Sequence, residues 1–135
     1  MPSAAWSLQK AVFAALASNA PLIALLGAAR IYDDVPQSSD FPYLAFGQAT
    51  TRDWSTASDD GSEHVITLNV WSQAKGRSQV HEIMAAARIA LHGQPLTLDG
   101  HRLINLRHES SEARRASDGE TYHGIARFRA VTEPA

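Results

Sequence analysis

The sequence predicts an α+β domain, a largely antiparallel sheet with helices packed on one face and two long hairpin loops. Three observations predict it. Only one central segment, Val80 to Leu91, carries a helical apolar stripe between strand-like segments. The segments around it alternate apolar and polar residues in steps of two. Turn signals at Asp59-Asp60-Gly61, Asp99-Gly100 and Asp118-Gly119 join neighbours directly, as antiparallel pairing requires. A chain of 135 residues fits one domain, 1–135, and is long enough to bury a core without disulfides or metals.

Ser3 to Ala17 reads as a helix. The Ser3 hydroxyl can accept from a free amide of the first turn, and Leu8, Val12, Ala15 and Leu16 share one face. Trp6 and Phe13, seven apart, form a second stripe that packs within the subunit or meets a neighbouring one. Asn19 is placed to cap a second, short helix, with Pro21 in its first turn and Gly27 at its end. Ile31-Tyr32 lead into Asp33-Asp34-Val35-Pro36, where Pro36 holds Val35 extended. Phe41 to Phe46 reads as a strand with Pro42 near its beginning.

Glu63 to Trp71 is the clearest strand. Ile66, Leu68 and Val70 share one face, and Val65, Thr67, Asn69 and Trp71 the other. Ser78 is the expected cap of the central helix, whose stripe is Val80, Ile83, Met84, Ala87 and Leu91; Gly93 ends it and Pro95 bars its return. Leu96 and Leu98, Asp99-Gly100, then His101 and Leu103 read as a tight hairpin, and the strand from Arg102 continues through Ile104, Leu106 and His108. Thr121 to Val131 is the last strand, Ala126, Phe128 and Ala130 facing opposite to Arg127 and Arg129; Pro134 falls in a frayed tail. Matched periodicity assigns Ile66, Leu68, Val70, Ile83, Met84, Leu91, Ile104, Leu106 and Phe128 to one core.

Composition and motifs exclude several functions. The formal net charge of −2 gives no electrostatic support for general DNA binding. The chain has no cysteine, hence no disulfide and no thiolate ligand. Residues 1–17 lack a basic leader and are interrupted by Lys10, unlike a signal peptide, and no apolar run approaches the roughly 20 residues of a membrane span. His81 and His92, the two histidines nearest the central helix, share a face but stand about 16 Å apart, too far for one metal ion. The six histidines are therefore expected at surfaces or strand edges, with no metal and no cofactor bound. No GxSxG elbow is present. Lys75-Gly76-Arg77-Ser78 before a helix start is an ordinary capped turn with some capacity to attract an anion.

Two polar stretches stand out, Thr50 to Ser62 and Glu109 to Glu120. Each is longer than the usual hairpin connection of about 2–5 residues. The first carries Arg52, Asp53 and Trp54; the second carries Glu112, Arg114 and Arg115. Trp and Arg are favoured at interface centres, which makes these six residues candidates for partner binding.

The run Ile31-Tyr32-Asp33-Asp34-Val35-Pro36, followed by Phe41-Pro42-Tyr43-Leu44-Ala45-Phe46-Gly47 and later by Val70-Trp71-Ser72 before a helix, resembles a family encoded in phage and prophage tail modules and in gene transfer agents. Each motif is short; their order and spacing cover nearly the whole chain. The resemblance implies a tail terminator, or tail-completion protein. Such proteins form six-membered rings between the tail tube and the head-proximal connector. It further implies self-association, contacts with the tube protein and with a connector or stopper, and DNA only as cargo passing through the ring. No membrane contact, catalysis or cofactor is implied, and the implied location is the tail or neck of a virion or phage-like particle assembled in the bacterial cytoplasm. The alternatives are another neck component, such as the stopper, or a small-molecule enzyme or binding domain with a pocket near the histidines. On the resemblance, Trp6 and Phe13 become candidates for the seam between subunits.

Overall fold

Side-chain caps start both N-terminal helices. In the computed structural model, which describes residues 3–135, Ser3 Oγ accepts from the Trp6 amide at 3.1 Å and opens α1 (Ala4–Ala17). Met1 and Pro2, the start of the segment expected to lack a leader, lie outside the described residues. Asn19 Oδ1 accepts from the Leu22 amide at 3.0 Å and opens α2 (Ala20–Leu26), with Pro21 in the first turn. Gly27 ends α2 at φ +83°, a conformation that favours glycine.

Five strands form one sheet in the order β1-β2-β3-β5-β4. They are β1 (Ile31–Tyr32), β2 (Tyr43–Asp53), β3 (Ser62–Ser72), β4 (His101–Arg115) and β5 (Tyr122–Pro134); α3 (Ser78–Leu91) stands between β3 and β4. All pairings are antiparallel except β1 with β2. Alternation then divides the sheet into two faces. Ile66, Leu68, Val70, Leu106, Ala126, Phe128 and Ala130 form one buried cluster with Leu8, Val12 and Leu16 of α1, Leu22 and Leu26 of α2, and the α3 stripe Val80, Ile83, Met84, Ala87 and Leu91. The helices thus cover one face. Among the described residues, no helix lies on the other face.

The structure corrects several details. Ile104 is 49% exposed instead of buried. The β4–β5 register shifts between Leu103 and Asn105, so Ile104 is the extra residue of a bulge and leaves the alternation. The two polar stretches are largely strand. β2 runs through Asp53 and β4 through Arg115, which confines the irregular connections to 54–61 and 116–121. The expected hairpin at Asp99-Gly100 is reduced to a single bridge, Thr97 with Arg102, so two strands follow α3 where three were expected. Pro134 is not in a frayed tail, since it ends β5 opposite His101. Ser78 is the first residue of α3; the cap position is Arg77, with no side-chain cap bond. Finally, Ile31-Tyr32 is a strand, a role its two residues were too few to signal.

Candidate assembly surfaces

The candidate residues fall on two hairpin arms, and the register sends these arms to opposite ends of the sheet. Ser62 of β3 pairs with Thr132 of β5, and Ser72 of β3 pairs with Tyr122. The β2–β3 connection at 54–61 therefore leaves one end, and the β4–β5 connection at 116–121 leaves the other. Arg52, Asp53 and Trp54 lie on the first arm; Glu112, Arg114 and Arg115 lie on the second. They do not converge.

On the first arm, Arg52 stands opposite Glu63 across the β2–β3 ladder. Arg129 sits diagonally on β5, and its Nε donates to the other oxygen of Glu63. The bond from Arg52 Nε, with help from Arg129, holds the Glu63 carboxyl below the usual range. Both guanidiniums lie against the Trp54 ring, Arg52 at 5.1 Å and Arg129 at 5.2 Å from its centroid. Trp54 is thus a half-exposed ring held by two cations that share one carboxylate. Asp53 turns inward to its own loop: Oδ1 accepts from the Ser55 amide at 3.0 Å and from the Ser55 hydroxyl at 2.6 Å, which lowers its pKa.

The second arm is built similarly. Glu112 pairs with Arg127 at 3.5 Å. Arg115 donates twice to the Gly119 carbonyl, at 3.0 and 2.7 Å, and so closes the turn. Asp118 accepts from the Thr121 hydroxyl and amide and from the Glu120 amide, which lowers its pKa. Arg114 faces outward opposite His123. Sequence reasoning missed Glu63 and Arg129, whose side chains organise the first arm. Both occupy outward positions of strands that alternation had already placed, so the signal was available.

The uncovered face carries Arg52, Arg102, Arg107, Arg114, Arg127 and Arg129, with Glu63, Glu112 and Glu133 among them. The positive excess is local to this face of a chain whose formal net charge is −2. Beside the charges, Trp71 stacks on His123 at 3.8 Å, and His123 Nε2 is 2.7 Å from Asn69 Oδ1.

Trp6 and Phe13 project from α1 at 48% and 41% exposure. Phe13 touches Phe46 of β2, with ring centroids 6.5 Å apart. Gln9 Nε2 donates to Asp33 Oδ1 at 2.7 Å. A shallow recess results, lined by Trp6, Gln9, Lys10, Phe13 and Asp33. It lies on the β1–β2 flank of the sheet.

Histidines do not gather into a site. Among the described residues, no three His, Asp or Glu side chains are placed to hold a metal. His64, expected at a surface or edge, is buried at 2% exposure between Thr51 and Thr132, because its parity is that of Ile66 and Leu68. His92 Nδ1 accepts from the His108 amide at 2.9 Å, and the Gly93 amide donates to the Leu106 carbonyl. These two bonds seal part of the outer edge of β4. At the start of α3, Arg77 lies over the Tyr122 ring at 5.6 Å. No single helix among the described residues is long and apolar enough to cross a membrane.

A family model described as tail completion protein gp17 matches residues 10–133. The tail completion protein gp17 of Bacillus phage SPP1 is 25% identical over 123 residues, 91% of this chain and 90% of that protein. Among solved structures, a chain from the virion of a native gene transfer agent particle superposes with a TM-score of 0.88 at 30% identity, covering 98% of this chain and 99% of its own. The structure of SPP1 gp17 gives a TM-score of 0.65 at 22% identity, covering 94% and 89%.

Proposed function

Because the chain belongs to the gp17 family of tail completion proteins, we propose that it closes the head-proximal end of a phage-like tail tube as a six-membered ring and presents the surface to which the head or neck attaches. It is a structural component of the tail of a phage-like particle. The observation that carries this reading is the full-length match, at 30% identity, to a chain of an assembled gene transfer agent virion. The family role is structural, and we assign the chain no catalysis, metal or cofactor.

The arms support a place between two partners. Trp54 with Arg52 and Asp53 projects at one end of the sheet, and Glu112, Arg114 and Arg115 at the other. In this reading one arm docks on the tube protein and the other on the connector or stopper, with Trp54 as an aromatic anchor and the charges selecting the partner. Trp6 and Phe13 face a neighbouring subunit. DNA passes through the ring as cargo.

Deletion of the chain from a producing strain tests this. Particles should separate into unjoined heads and tails, or carry tails of uncontrolled length, and an intact copy should restore them. Cryo-electron microscopy should show six copies at the junction. Normal particles from the deletion strain, or a single copy at the junction, refute the reading.

A further inference from the structure

The ring reading puts Trp6 and Phe13 against a neighbouring subunit but leaves open what they meet there, and inference about it rests on that reading. A closed cyclic ring reuses one heterologous contact, so each subunit must carry two different complementary patches facing different neighbours. The described residues with large exposed apolar side chains are Trp6 and Phe13 on α1, Trp54 on the first arm, Ile89 on α3 and Ile104 on β4. The first pair lies on the flank of edge strand β1, beside Asp33 and Phe46. Ile104 lies on the flank of the other edge strand, β4. The two arms leave the ends of the sheet, one face is charged and the other is covered by helices, which leaves Trp6 with Phe13 and Ile104 as the exposed apolar side chains on the two flanks.

The flanks differ in charge. The recess at Trp6 and Phe13 carries the Asp33 carboxylate, followed in sequence by Asp34, and its cation, Lys10, is engaged by Asp99 at 3.8 Å. The cleft at Ile104 is lined by His92, Gly93, Gln94, Pro95, Leu103 and Arg107 among others, with no carboxylate in its lining. Backbone pairing between flanks is disfavoured: the outer edge of β4 is already occupied by Thr97, Gly93 and His92, and two register shifts bend the strand. The contact is left to side chains. The bulge supplies one, because it turns Ile104 outward as a free knob.

We propose that the β4 flank of one subunit seats Ile104 against Trp6 and Phe13 of the next copy, with Arg107 facing Asp33 across the seam. The contact is head-to-tail. It buries the exposed aromatic stripe of α1 and matches an acidic flank to a basic one.

The chain contains no cysteine, so introduced thiols report a single contact. Phe13→Cys and Ile104→Cys are placed in one chain, incorporated into particles, and treated with a short bis-maleimide. The expected result on a denaturing gel is a ladder of covalent multimers, with each single variant remaining a monomer. Cross-linking of either single variant with itself overturns the head-to-tail contact. So does an uncross-linked double variant that is present in particles at the wild-type level. A wild-type chain missing from particles sinks the ring reading itself, a different result. If the cysteine variant folds but stays out of particles, charge exchange decides. Asp33→Arg and Arg107→Asp should each lower incorporation at least tenfold, and the double exchange should restore it. Equal failure of the singles and the double, or no effect of either single, overturns the proposal.

Discussion

Acidification should weaken the fold through His64, and replacing that one side chain should remove a defined share of the effect. His64 is 2% exposed, with Nδ1 2.9 Å from Thr51 Oγ1 and Nε2 2.9 Å from Thr132 Oγ1. A neutral imidazole donates from one nitrogen and accepts at the other, and the two hydroxyls can serve both roles. Burial pushes the His64 pKa below its ordinary value of 6.5, and the nearby His101 adds to the shift. The unfolded chain therefore takes up a proton at a pH where the folded chain does not. Stability is full above about pH 6.5 and falls as the pH drops below it, by at most about 1.4 kcal/mol per pH unit for one proton. His108 and His123 are shifted in the same direction, chiefly by burial, and steepen the decline. Glu63, Asp53 and Asp118 lose their contribution only near and below the ordinary carboxylate range, outside this window. His64→Gln keeps hydrogen-bonding capacity and cannot charge. Urea unfolding at about pH 7.5, 6.5 and 5.5 should show the slope of the variant shallower than that of the parent by up to about 1.4 kcal/mol per unit. Equal slopes in parent and variant, or a parent that gains stability on acidification, refute the argument.

Phe128 is the largest fully buried side chain and lies edge-on to His108 at 5.5 Å. Phe128→Ala should cost about 3–5 kcal/mol, lowering the melting temperature by roughly 10–20 °C in a calorimetric scan. A Cβ on Gly124 would stand 3.0 Å from Met84 Sδ and 3.3 Å from Val80 Cβ, so Gly124→Val should overpack the α3 seam by about 1–3 kcal/mol, measured as a shift in urea midpoint. Trp54→Ala removes two exposed cation–π contacts, about 0.5–1 kcal/mol each. It should fold normally yet give particles with unjoined heads or tails of irregular length, counted by negative-stain microscopy. Arg114→Ala with Arg115→Ala should do the same at the other end, and normal infectious or DNA-transferring particles from both variants eliminate docking by the arms.

Local rules made most of the inner face legible. Eight of the nine residues assigned to the core, all but Ile104, are in the buried cluster, because apolar parity on β3, α3 and β5 has one solution once one face is covered. The ninth failed at a bulge. An inserted residue leaves no compositional trace in Arg102-Leu103-Ile104-Asn105-Leu106, and only the pairing with β5 reveals that Leu103 and Leu106 face inward together. The same blindness hid β1, whose two residues become a strand only by lying parallel to Leu44 and Ala45. Candidate residues were visible as residue types, but their grouping was not. Arg52 and Arg129 meet at Glu63 across 66 residues of sequence between Glu63 and Arg129, a distance that no local pattern spans.

Finding strands where loops were expected changes the physics of the proposed docking. A mobile loop of the length of Thr50 to Ser62 surrenders backbone entropy when it binds, about 1–2 kcal/mol for each residue fixed. Here Arg52 and Asp53 are already ladder residues of β2, opposite Glu63 and Ser62, and the Trp54 amide donates to the Gly61 carbonyl at 2.9 Å. Asp53, Ser55, Thr56 and Asp59 close the remainder on itself. On the other arm, Asp118 and Arg115 do likewise. Most of the ordering is therefore completed on folding, before a partner arrives, and binding free energy at Trp54 is not consumed in arranging its own platform. Such arms should stay protected in the isolated subunit. Hydrogen exchange at the Arg52, Trp54, Arg114 and Ala116 amides, which point at the paired strand, should be slowed to nearly the level of the β3 strand, with fast exchange at 55–60, at 117–120 and at the Asp53 and Arg115 amides, which point to the open edge. Fast exchange throughout 50–62 and 109–120 would return the arms to mobile loops, and with it the entropic cost that the hairpins remove.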